Sequence, residues 1–131
     1  MLDRRLPVAV LLISLTGCSG SGLQQPKAGA FTPGACRGLA PSVLALGRDL
    51  HGLGSKPPTA AQREALKQHQ GEVRTRQPAL STALAPNVQQ LVTSVGILRL
   101  RADTDSYEPG LAKTAMSAYA AVVKVCTTSR A

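Results

Sequence analysis

Residues 84–102 read "LAPNVQQLVTSVGILRLRA". Leu84, Val88, Leu91, Val95, Leu98 and Ala102 recur at intervals 4-3-4-3-4, which puts all six on one stripe of an α-helix. Val92 widens that stripe. A half-buried strand would alternate in steps of two, and this stretch does not. Ser94 and Gly96 are small and let a neighbouring helix approach. "DTDSYEPG" at 103–110 then breaks the pattern. The fold is decided by whether the rest of the chain repeats this periodicity.

It does. Downstream, Ala112, Ala115, Tyr119, Val122 and Cys126 fall on one stripe of a helix expected from about Pro109 to Thr127. Proline suits a first helical turn, and Asp105 or Ser106 could cap it. Upstream, Cys36, Leu39, Val43, Leu46, Leu50 and Leu53 form a third stripe over a segment from about Pro33 to Leu53, which Gly52 and Gly54 end. Pro41 interrupts it, because proline removes a backbone bond and crowds the previous turn. Two outcomes fit: a short turn over 34–39 followed by a helix from Pro41, or one kinked helix. "SKPP" at 55–58 is a rigid connector. Thr59 and Gln62 then have the form of a capping box, opening a helix over 60–76. Its apolar content is thin, and Glu72 and Arg76 are placed for an i,i+4 pair. Residues 77–85, "QPALSTALA", fit either a loop or an extension kinked at Pro78.

The N-terminus has a different character. Arg4 and Arg5 precede an apolar run from Leu6 to Leu15, and small residues follow. A basic start, a short apolar core and a small-residue end make a secretory signal peptide. The run is well short of the about 20 residues that span a bilayer. Leu15-Thr16-Gly17-Cys18 resembles a lipobox, the processing motif of bacterial lipoproteins. The resemblance covers residues 1–18. It implies cleavage between Gly17 and Cys18, a diacylglyceryl group on the Cys18 thiol, and anchoring by lipid to the extracytoplasmic face of the cell membrane. Residues 19–32, "SGSGLQQPKAGAFT", read as a flexible tether with a reach of roughly 20 Å. The expected organisation is a signal peptide over 1–17, lipidated Cys18 and tether over 18–32, and a folded domain over 33–131.

The chain has three cysteines. With Cys18 committed to lipid, Cys36 and Cys126 remain, and an even pair in an exported domain reads as a disulfide. Free thiols and a metal pair are the alternatives, but neither cysteine has a second Cys or a His at ligand spacing. Cys36 begins the first stripe and Cys126 ends the last. In an up-down-up-down bundle those positions share one end. The expected fold is all-α: an antiparallel four-helix bundle with one disulfide.

Charge narrows the partners. Fifteen Lys and Arg stand against seven Asp and Glu. Such a balance favours anionic headgroups or an acidic envelope protein. With no Trp, one Phe and two Tyr, the chain lacks the stacking platforms that nucleic-acid binders use. Arg63, Lys67, Arg74 and Arg76 on the second helix, with Arg99 and Arg101 on the third, are candidates for one basic docking surface.

Catalytic chemistry has no visible carrier. His51 sits at a helix end and His69 on a partly apolar face, and neither has an acid–nucleophile partner at a recognisable spacing. "DTDSYE" at 103–108 lacks the length, central glycine and terminal Glu of an EF-hand. Helix capping with Arg99–Asp103 and Arg101–Asp105 pairs accounts for its acids. No Gly-x-Ser-x-Gly elbow and no phosphate-binding glycine loop occurs. No cofactor or metal is expected. The leading expectation is a non-enzymatic interaction or accessory module at the cell envelope. A carrier of a small apolar ligand within the bundle comes second, and an enzyme last.

Overall fold

The structure is a computed structural model that describes residues 23–128. The segments read above as a signal peptide and lipobox, with Cys18, lie outside the described residues. Four helices follow in order: α1 Ala35–His51, α2 Ala60–Arg76, α3 Ala85–Asp103 and α4 Pro109–Thr128. Among the described residues there is no strand. Each helix packs on its sequence neighbours, and α1 closes the ring on α4. The short connections force successive helices antiparallel, giving a four-helix bundle.

The stripes face inward. Leu84, Val88, Leu91, Val95, Leu98 and Ala102 are all buried, as are Ala112, Ala115, Tyr119, Val122 and Cys126. α1 is buried beyond its stripe. Ser42, Val43, Leu44, Ala45, Leu46 and Gly47 are consecutive buried residues, because α2 covers one side of α1 and α4 another. The helix is continuous through Pro41. Proline is tolerated there because it lies on the exposed face, where solvent can take the Arg37 carbonyl that its ring leaves without a donor.

The helix ends follow local chemistry. At the start of α2, Gln62 N–H donates to Thr59 Oγ1 at 3.1 Å and Thr59 N–H donates to Gln62 Oε1 at 2.8 Å, a complete capping box. Residues 77–84 form a connection rather than a kinked helix. A 3-10 turn over Gln77–Ala79 passes into extended Leu80, and Ser81 then accepts from Ala85 N–H at 2.9 Å. At the end of α3, Asp105 takes φ of 56°, the left-handed region. Its N–H donates to Ala102 C=O and the Ser106 N–H donates to Arg101 C=O at 2.8 Å. These two bonds make a Schellman motif with Asp105 where glycine is usual. Asp105 and Ser106 thus close α3 instead of capping α4.

The tether differs most from its sequence reading. Its described part, residues 23–32, is laid against the bundle. Phe31, the chain's one phenylalanine, is 1% exposed and belongs to the core. Burying it supplies about 2–3 kcal/mol, enough to hold a short segment down. Thr32 N–H donates to Cys126 C=O at 2.9 Å. Arg37 Nε donates to Phe31 C=O at 2.9 Å. Lower on the bundle, Gln25 Nε2 donates to Leu44 C=O at 2.8 Å. The folded unit therefore begins well before residue 33.

Cys36 and Cys126 are bonded, with Cα atoms 5.4 Å apart and 90 positions between them in sequence. The bond sits where α1 starts and α4 finishes, and it encloses nearly the whole bundle.

Candidate functional site

The basic residues singled out from sequence are spread over several local environments. Arg63, Lys67 and Arg99 line a shared recess of about 320 Å³ between α2 and α3, together with Glu64 and Asp103. Arg63 Nε lies 3.4 Å from Asp103 Oδ1. Arg99 donates to Gln70 Oε1. Charges of both signs thus meet in this recess. Arg101 turns to the α3–α4 connection, with Nε 2.8 Å from Ser106 Oγ and a terminal nitrogen 3.2 Å from Glu108 Oε2. The pairs Arg99–Asp103 and Arg101–Asp105 expected from spacing are replaced by these. Arg74 and Arg76 lie at the other end of α2, where Arg76 lines a separate recess with Gly34 and Gly38. Glu72 engages Ser42 Oγ at 3.3 Å and Gln68 Nε2 at 3.4 Å instead of Arg76.

Three polar features escaped the sequence. His69 Nδ1 lies 2.6 Å from Asp49 Oδ2, joining α2 to α1 in a partly buried pair. Gln70 is buried and bridges to α3, donating to Val92 C=O at 2.9 Å while its carbonyl oxygen receives Arg99. A buried amide must be satisfied, and these two contacts satisfy it. Gln25 is the third. Besides Leu44, its Nε2 donates to the Tyr119 hydroxyl at 2.9 Å, and its oxygen receives Arg48 at 3.2 Å. Gly47 makes room for this cluster, since an added Cβ would collide with the Tyr119 ring. Burial pushes the Tyr119 hydroxyl above its ordinary 10.0, against weaker downward pulls from the Gln25 hydrogen bond and from Arg48. All three features join residues far apart in sequence, so spacing carried no trace of them.

The largest recess described, about 590 Å³, is an open groove at the end of the bundle away from the disulfide. It runs between the last turn of α1 with its following loop and the first half of α4. Leu50, Leu53, Ala112 and Met116 supply apolar walls that continue the core. His51 and Lys113 stand exposed at its edge. A second recess on the same connection is lined by Lys56, Thr59 and Gln62. Neither is lined by an Asp or a Glu.

Among the described residues no cluster of His, Cys, Asp or Glu could hold a metal ion, and no helix is long and apolar enough to cross a membrane. No protein-family model, no curated protein and no solved structure matches this chain.

Proposed function

We propose that this chain is an exported lipoprotein, held to a membrane by lipid on Cys18, whose helical bundle serves as a non-enzymatic interaction module at the cell envelope. The observation that carries the reading is the partition of the sulfurs. Cys36 and Cys126 take each other, which leaves Cys18 alone behind an apolar run and Leu15-Thr16-Gly17. A bonded pair suits an oxidising compartment outside the cytoplasm. The side chains that fill the bundle also favour a module over an internal carrier. Leu39, Leu46, Leu66, Leu91 and Leu98 are each 0% exposed, and the recesses described above open to the surface.

Membrane fractionation tests the anchor. Wild-type chain should partition with membranes, and Cys18→Ser should appear in the soluble exported fraction. Continued membrane retention of Cys18→Ser would overturn the reading. Crosslinking in intact cells, read by mass, tests the module. A captured acidic protein or headgroup supports it, whereas capture of an apolar small molecule alone favours the carrier.

A further inference from the structure

Charge is divided unevenly along the bundle. In the half that holds the disulfide, Arg37 lies in the first turn of α1, Arg74 and Arg76 end α2, and Lys124 lies near the end of α4. Lys27 joins them from the strap, and all five are exposed. Among the described residues the one acid in this half is Glu72, which is engaged by Ser42 and Gln68. The other described acids, Asp49, Glu64, Asp103, Asp105 and Glu108, all lie in the opposite half. There Arg63 pairs with Asp103 and Arg101 with Glu108. Among the described residues no carboxylate lies within ion-pair distance of Arg74, Arg76 or Lys124.

The tip between these cations is uncharged. Residues 28–36 lead into α1 and residues 77–84 connect α2 to α3, and neither stretch holds an Asp, Glu, Lys or Arg. Pro33, Ala35, Pro78 and Ala79 are exposed there. Arg76 shares a recess with Ala79 and Leu80, so cation and apolar surface adjoin. Pressing such a tip onto another surface dehydrates few polar side chains. Gln25 is bonded midway along α1, at Leu44. The seven positions from Gln25 to Cys18 span at most about 25 Å. Either end of α1 lies within about 14 Å of Leu44. Chain length therefore permits both ends to reach the anchor plane, and charge selects between them.

We propose that the disulfide end of the bundle docks on an anionic bilayer surface, with Arg74, Arg76 and Lys124 set around the uncharged tip. The proposal rests on the lipid anchor at Cys18 proposed above. That anchor favours a bilayer over an acidic protein, because it keeps these cations within one leash length of the headgroups. Each cation near an anionic leaflet shifts the contact equilibrium roughly fivefold.

The lipidated chain in vesicles tests the docking. The vesicles contain phosphatidylcholine alone, or with one quarter phosphatidylglycerol, and a nitroxide on a fraction of the headgroups. A fluorophore is placed at Thr82→Cys on the uncharged tip or at Ser55→Cys at the opposite end, both labelled without reductant. With phosphatidylglycerol, quenching should be strong at 82 and weak at 55. The preference should disappear on phosphatidylcholine alone and at high salt. Arg74→Gln, Arg76→Gln and Lys124→Gln should each lower the contact population roughly fivefold, and Lys56→Gln at the opposite end should not. Circular dichroism checks that each variant keeps its helices. Equal quenching at both positions on anionic vesicles, or stronger quenching at 55, would overturn the docking and leave the cationic end to an acidic protein. A preference for 82 that ignores phosphatidylglycerol would overturn the part given to charge. Intact mass of the same preparation separates the two readings. An unacylated Cys18 overturns the anchor and the docking with it, whereas an acylated Cys18 with equal quenching overturns the docking alone.

Discussion

Gln25 Nε2 donates to the hydroxyl of Tyr119 at 2.9 Å, joining positions 94 apart in the chain. The same nitrogen holds Leu44 C=O, and the oxygen receives Arg48. One side chain thus fixes the N-terminal strap to both α1 and α4. Gln25→Ala should lower unfolding free energy by about 1–2 kcal/mol, the sum of modest single hydrogen bonds. Amide exchange should quicken across 25–32. Unchanged protection at Thr32 and Phe31 would show that Phe31 alone holds the strap.

The same tyrosine sets an alkaline limit. Burial raises its pKa above 10.0, so the folded state keeps the proton more firmly than the unfolded chain. That stabilisation is full below pH 10 and is lost as pH rises through the folded-state value. Thermal unfolding between about pH 8 and 11 should therefore show a falling midpoint at the alkaline end. Tyr119→Phe should start lower, having lost the bond to Gln25, but fall less steeply. Tyr107, also raised by burial, leaves some slope in the variant. Identical slopes in both proteins would refute this account.

Gly47 is the counterpart of Tyr119 on α1. Gly47→Ala should destabilise by about 1–3 kcal/mol, since its methyl group would occupy the space of the ring and crowd Gln25 Nε2 at 2.8 Å. In an exposed helical position the same change would stabilise. The sign of the effect, read from denaturant midpoints, distinguishes the two situations.

Asp105 offers the opposite case. It is exposed and holds φ of 56° at the position where a Schellman motif favours glycine. Asp105→Gly should raise stability by about 0.5–1 kcal/mol, by relieving the steric cost of the left-handed conformation. A drop in midpoint would mean that the Asp105 side chain contributes something beyond the backbone turn.

Loss of the disulfide should cost more than any of these changes. Closing a loop of this size contributes about 4–5 kcal/mol in the chain-entropy account. The paired variant Cys36→Ala, Cys126→Ala should melt far below wild type, and reductant should lower the wild-type midpoint similarly. An unchanged melt under reduction would remove the bond from the stability argument.

Three of the helices were legible from an apolar stripe along their own length, and α2 from its capping box. The stripe from Leu84 to Ala102 needs no partner to be recognised, and neither does the Thr59–Gln62 capping box. Even the end-to-end meeting of Cys36 and Cys126 follows from counting helices. The strap was misread because its Gly, Ser, Gln and Pro outweigh a single residue, Phe31. In a chain with one phenylalanine, that residue inside an otherwise polar linker was the available signal. The groove, the Asp49–His69 pair and the Gln70 bridge had no such signal. Each is made by elements that meet only after folding. The basic residues illustrate the converse. Similar side chains along one helix suggest a single surface, but a helix of 17 residues spans about 26 Å, and Arg63 and Arg76 near its two ends line separate recesses.

On the proposed lipoprotein reading, the Cys36–Cys126 bond would also imply an order of events. A chain delivered N-terminus first presents Cys36 a full 90 positions before its partner. Through that interval the other cysteine already delivered is Cys18. Acylation of Cys18 before Cys126 emerges would remove the one wrong partner from competition. Lipid attachment would then act as a chaperone of oxidation, and the native bond would close last, around helices that have already found one another.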